Sequence, residues 1–173
     1  NGNSREIEAA LQEHRIDLGL VEGICRLPNL RYTTFLQDEL VAVVHTGSKL
    51  SLPDEITPED LSRIPLVLRE RGSGTLDVFE RALSEHNMKL SSLNVLLYLG
   101  STESIKLFLE HTDCIGIVSI RSISHELLSG TFRVIEIKGM PMLREFCFAQ
   151  PQGQESGLSQ VLMQFAMHHN KKL

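Results

Sequence analysis

Pro65-Leu66-Val67-Leu68-Arg69-Glu70-Arg71-Gly72-Ser73-Gly74-Thr75 is the stretch that decides the fold class. Residues 65–68 read as a short buried strand and residues 69–75 as a Gly-rich turn; Val78, Phe79, Ala82 and Leu83 then recur at the spacing of one helix face. The same order returns downstream: residues 93–99 form a strand, Gly100-Ser101-Thr102-Glu103 a turn, and Ile105, Leu107, Phe108 and Leu109 a helix ending near His111. Residues 114–119 are apolar enough to be another buried strand. Strands alternating with helices define an α/β protein.

Outward from this centre the pattern holds. Ser4-Arg5-Glu6-Ile7 opens with a capping sequence, and Ile7, Ala10 and Leu11 continue at helical spacing, so a helix is expected over residues 4–14 with Ser4 as its N-cap. Residues 16–21 run nearly continuously apolar, as a strand covered on both faces does. A helix leading into a buried strand is half of a βαβ unit, which places the preceding strand upstream of residue 1. Residues 30–44 read as a long bent strand pair, and Thr57-Pro58-Glu59-Asp60 caps a short helix with Pro in its first turn. Residues 122–128 form a short helix, residues 132–137 and 143–149 two more strands, and Leu158, Val161, Leu162, Phe165 and Ala166 a closing amphipathic helix.

Composition narrows the function classes. The 173 residues are 42% hydrophobic and 23% charged, which excludes disordered, coiled-coil and collagen-like chains. Seventeen basic against twenty-two acidic residues leave a net charge of -5, opposed to the phosphate backbone that a nucleic-acid binder must neutralise. No apolar run approaches the ~20 residues needed to span a bilayer, so no membrane partner is expected. Cys25, Cys114 and Cys147 have no CxxC spacing and an odd count; they read as buried thiols in a reducing cytoplasm.

Chemistry-bearing motifs are few. There is no G-x-S-x-G elbow, H-E-x-x-H pair, Walker loop or G-x-G-x-x-G loop, so catalysis has no evident carrier and no cofactor is expected. Gly72-Ser73-Gly74 resembles part of a phosphate loop but lacks the Lys that reaches terminal phosphates. His168 and His169 are helix neighbours facing different ways beside a solvated Asn-Lys-Lys tail, which argues against a metal. His14, His86 and His111 fall at helix ends, where histidines meet terminal carbonyls.

What stands out is three helix starts fronted by hydroxyls: Ser4, the pair Ser73 and Thr75, and the pair Ser101 and Thr102. Each offers free backbone N–H groups, a hydroxyl and the positive end of a helix dipole, which together suit an anion or carboxylate. Plain N-capping accounts for the same residues one at a time.

These residues, in order, resemble the effector-binding (co-inducer) domain of LysR-type transcriptional regulators, a bacterial family. The resemblance is carried by Gly2-Asn3-Ser4 through Arg15-Ile16-Asp17-Leu18-Gly19-Leu20-Val21, by Phe35-Leu36-Gln37-Asp38-Glu39-Leu40-Val41-Ala42-Val43, by Leu68 to Thr75, and by Ser104 to Ser119. It implies a two-lobed α/β fold of the type 2 periplasmic-binding-protein kind with two crossover strands, its first strand missing here. Residues 1–40 plus 147–173 would make one lobe and residues 41–146 the other.

The resemblance further implies a small effector, a carboxylate or other anion, held between the lobes. By position Ser4, Ser73, Gly74, Thr75, Ser101, Thr102 and Glu103 would face it, with Val21, Phe35 and Val118 as apolar wall. Glu103 puts a carboxylate beside that anion site, and reads first as a helix-start charge. The implied parent is a cytoplasmic transcription regulator, dimeric through this domain and tetrameric at full length, touching DNA only through a winged helix-turn-helix domain that this chain lacks. A solute-binding protein of the same fold is the second reading, and an enzyme on a two-lobed scaffold the third.

Overall fold

The computed structural model describes residues 2–23, 27–153 and 157–170. Its helices and strands follow the order α1 (Ser4–Gln12), β1 (Gly19–Gly23), β2 (Leu30–His45), β3 (Glu55–Ile56), β4 (Leu66–Arg69), α2 (Gly74–Glu85), β5 (Val95–Leu99), α3 (Thr102–His111), β6 (Ile115–Ser119), α4 (Ser124–Leu128), β7 (Phe132–Ile137), β8 (Met142–Pro151) and α5 (Gly157–Asn170). The alternating pattern of the sequence thus becomes a mixed α/β structure. The chain divides into two units, Asn1–Gln37 with Gly72–Gly74 and Arg144–Leu173, and Asp38–Arg71 with Thr75–Leu143. Strands β2 and β8 contribute residues to both.

In the first unit β1 lies antiparallel to β8, Gly19 opposite Ala149 and Gly23 opposite Glu145. Alternation sends Val21, Cys147 and Ala149 into a core completed by Leu11 of α1 and Leu30 of β2. In the second unit β4 is parallel to both β5 and β6, while β2 is antiparallel to β6 and β7. Its core gathers Val41 and Val43 of β2, Val67 of β4, Val118 of β6 and Phe132 of β7 beneath Ile105 and Leu109, which stand one turn apart on α3.

Several expectations change in detail. Asn3, not Ser4, caps α1: its side chain accepts from the Glu6 N–H while the Glu6 carboxylate accepts from the Asn3 N–H, a reciprocal capping box. The helix stops at Gln12, and His14 follows in the left-handed region at φ 54°. The strand expected over residues 16–21 is Gly19–Gly23 and is not covered on both faces, since Leu20 is exposed. The segment expected to be a strand pair is the single 16-residue strand β2.

The Pro58 helix is a 3-10 turn, Pro58–Ser62, with Thr57 and Asp60 as its capping pair. His86 meets the Gly139 carbonyl at 3.0 Å instead of a carbonyl of its own helix. The apolar stripe of α5 faces outward, with Leu158 81% exposed and Val161, Leu162 and Phe165 each more than half exposed, although the helix itself is present. Periodicity reveals that a helix has an apolar face but not whether anything lies against it.

Truncating Leu109, which is 1% exposed in the second unit's core, tests this packing. Leu109→Ala removes three carbons and leaves a void, so it is expected to cost about 2–5 kcal/mol, read as a lowered urea midpoint at unchanged slope.

Candidate effector-binding site

Within the first unit the candidate residues gather on the backbone of Glu22. The Ser4 hydroxyl donates to the Glu22 carbonyl at 2.8 Å and accepts from the Glu22 N–H at 3.1 Å, tying the start of α1 to the end of β1. Relieved of capping by Asn3, Ser4 acts as this clamp instead. The Gly72 carbonyl accepts from the Arg5 N–H at 3.4 Å. Both glycines of Gly72-Ser73-Gly74 have a reason. Gly72 sits at φ +90°, where a side chain is strained, and a Cβ on Gly74 would collide with the carbonyl of Glu22. Ser73 between them is fully buried.

The sequence reading missed the charge at this cluster. The Glu22 carboxylate pairs with the Arg144 guanidinium at 2.5 Å; the Arg144 side chain is only 3% exposed and lies over the Phe146 ring, 4.8 Å from its centroid. A signal was present: Arg144 interrupts the apolar run of β8 two residues before Phe146, on the same face of the strand. A buried cation must be paired, and its partner 122 residues away cannot be read from a strand pattern. Of the expected apolar walls in this unit, Phe35 packs on Phe148 at 5.0 Å between ring centroids, whereas Val21 belongs to the core.

The second unit brings two turns side by side. Arg69 and Leu99 are in register at the carboxyl ends of β4 and β5, so the segments leading to α2 and α3 leave the sheet together. The Glu70 N–H donates to the Leu99 carbonyl at 3.1 Å, and Arg69 donates both to the Glu70 carboxylate and to the Gly100 carbonyl. Ser101 caps α3, accepting from the Ser104 N–H at 3.1 Å and pairing hydroxyl to hydroxyl with Ser104 at 2.8 Å. Thr102 is half-buried in the first turn of α3, and Thr75 is buried in that of α2.

Glu103 points outward and pairs with Lys106 at 2.9 Å. Lys106 also reaches Glu126 at 2.7 Å. Burial works against the Lys106 charge, but hydrogen bonds to Glu126 and Glu103 outweigh it and hold the ammonium above its ordinary pKa. Glu103 therefore serves α3 and its link to α4. Val118, the remaining wall candidate, is a core residue beside Val41 and Ile105.

The described residues hold no group of three or more His, Cys, Asp or Glu side chains able to bind a metal, and no helix among them is long and apolar enough to cross a membrane. Cys114 and Cys147 are buried free thiols, and Cys25 lies outside the described residues. Burial, reinforced by the neighbouring Asp113 charge, pushes the Cys114 thiol up to about 11.

The chain is similar to known proteins over nearly its whole length. Residues 1–171 match the model of the LysR substrate binding domain, and the chain belongs to that family. The HTH-type transcriptional regulator YeiE of Escherichia coli K12, itself uncharacterized, is 33% identical over 136 residues, which is 79% of this chain and 45% of YeiE. The regulatory domain of CcmR from Synechocystis PCC6803, solved in complex with 2-PG, superposes with a TM-score of 0.83 at 24% identity, over 99% of this chain and 81% of that one. The effector binding domain of QuiR in complex with shikimate gives a TM-score of 0.81 at 20% identity, over 99% and 79%. These structures share the fold. The chain spans about half the length of the curated relatives it matches.

Two outcomes test the site. Arg144→Ala strands the Glu22 carboxylate in a largely dry setting, and an unfolding titration is expected to show a loss of about 1–3 kcal/mol, less than for a fully buried pair because Glu22 keeps some solvent. Cys114 is expected to resist alkylation at pH 8 in the native protein and to react once urea unfolds it, since a free thiol titrates near ~8.5.

Proposed function

We propose that this chain is the ligand-sensing domain of a bacterial transcription regulator, that its effector is a small anion, and that it acts by binding and not by catalysis. The observation that carries the anionic reading is Arg144, a buried guanidinium set beside the Ser4, Ser73 and Gly74 cluster. Its planar fork matches a carboxylate or phosphate in two-point fashion, which a lysine does not. Glu22 pairs with one nitrogen of that fork, and an acidic effector would compete for the guanidinium. Backbone N–H groups at the start of α1, in the same unit, add the positive end of a helix dipole.

In this reading the parent protein works in the cytoplasm and contacts DNA through a separate domain, since a chain of net charge -5 is poorly suited to phosphate contact. The effector would act only through its unequal affinity for two arrangements of the regulator, and a coupling of ~1–3 kcal/mol alters promoter occupancy severalfold. A homodimer through this domain, and a tetramer at full length, complete the proposal. Strand β5 supports it by ending the second unit's sheet with Leu96, Leu97 and Tyr98 exposed, as does Leu107, exposed on α3.

The ligands of the two structural neighbours, 2-phosphoglycolate and shikimate, are the first probes, with simple dicarboxylates beside them. A saturating rise in melting temperature is expected with at least one acid. Arg144→Lys should weaken that ligand at least about tenfold while the fold persists, because the bidentate contact is lost. If neutral or cationic compounds stabilise the chain and no acid does, the anionic reading is wrong.

A further inference from the structure

The second unit contains a cavity of about 480 Å³ where β2 and β7 part company. The two strands pair from His45 opposite Phe132 to Ala42 opposite Ile135, and there the ladder stops. Beyond it the Glu136 and Lys138 N–H groups donate to the Asp54 and Ile56 carbonyls on the β3 side. The chain then curls through Gly139 at φ +68°, and the Met140 N–H donates back to the Ile137 carbonyl. The space beside Leu40 and Val41 is bordered by this turn instead of by a strand and stays open to solvent on one side. In strand order β6 and β4 separate it from β5, so it is distinct from the turns leading into α2 and α3.

Its walls are apolar and adaptable. Ile120, Ile135, Met140 and Met142 line it, and both methionines are buried. The volume lies within the range of ~300–1,000 Å³ usual for small-molecule pockets. The charge is one-sided: the lining residues include Glu39 and Glu136 and no basic residue. Among the described residues neither carboxylate has an ion-pair partner. The nearby cations are taken, Lys138 lying 4.0 Å from Glu55 and Arg133 3.0 Å from Asp54.

We infer that this cavity is a second small-molecule site, taking a protonated amine on an apolar body: the body would lie against the isoleucines and methionines while the ammonium sits between Glu39 and Glu136. An acid of the same shape would meet two like charges and no donor side chain. The two kinds of ligand, an anion at the Arg144 cluster and a cation here, would be sensed independently.

The test uses the full chain with 13C-methyl methionine and two isosteric probes, phenethylamine and 3-phenylpropionate. Of the five methionines, Met88, Met163 and Met167 serve as internal controls. The amine is expected to move the Met140 and Met142 methyl signals saturably and the acid is not. The double variant Glu39→Gln, Glu136→Gln, whose side chains are exposed, should keep the native circular dichroism spectrum and bind the amine on the order of five- to thirtyfold more weakly. Equal shifts with acid and amine, undiminished affinity in the double variant, or no movement of the two methyls would each overturn the assignment.

Discussion

The backbone of Glu22 is the fixed point of the first unit. Ser4 binds its carbonyl and its N–H, and Gly74 approaches so closely that no side chain could be added there. Gly74, brought in from 52 positions away, is thereby held against Glu22, and the Glu22 carboxylate fixes Arg144. This constraint is geometric before it is electrostatic. Backbone positions held by these contacts orient the charged pair, and a preorganised cation can then favour one class of anion without first paying the entropy of ordering itself.

Buried charge recurs with the same logic in the second unit. Asp38, at the point where β2 enters that unit, is buried and accepts from the Ser119 hydroxyl at 2.8 Å. Lys106 stands between Glu103 and Glu126 and joins α3 to α4. Among the described residues no buried side-chain nitrogen or oxygen lacks a hydrogen-bond partner. Such groups add little net stability over apolar substitutes, but each is costly to unpair, so they specify one arrangement of strand ends and helix starts.

The α/β class, the order of elements and most of their positions were legible because local signals agree: Gly-rich turns at 72–74 and 100, hydroxyl residues at the helix starts at 57 and 101, and apolar spacing at 78–83 and 105–109. Where two signals competed, reading went astray. Asn3 and Ser4 are both capping residues, and the reciprocal bond with Glu6 chose Asn3, freeing Ser4 to hold Glu22. Val21 and Val118 carry the right chemistry for a pocket wall, yet alternation along β1 turned Val21 into core, and Val118 lies on β6, which is buried along its whole length.

From the residues alone came the class of fold, the hydroxyl-bearing helix starts and the family resemblance, since these depend on neighbours within about a turn of helix or a few residues of strand. Tertiary structure alone decided that Arg144 would meet Glu22, that β2 would run unbroken for 16 residues, that the α5 stripe would face outward, and that β2 and β7 would separate around an acidic-mouthed cavity. The physical reason is common to all four. Each depends on which strand lies beside which and in what register, and a sheet pairs residues that the chain keeps far apart.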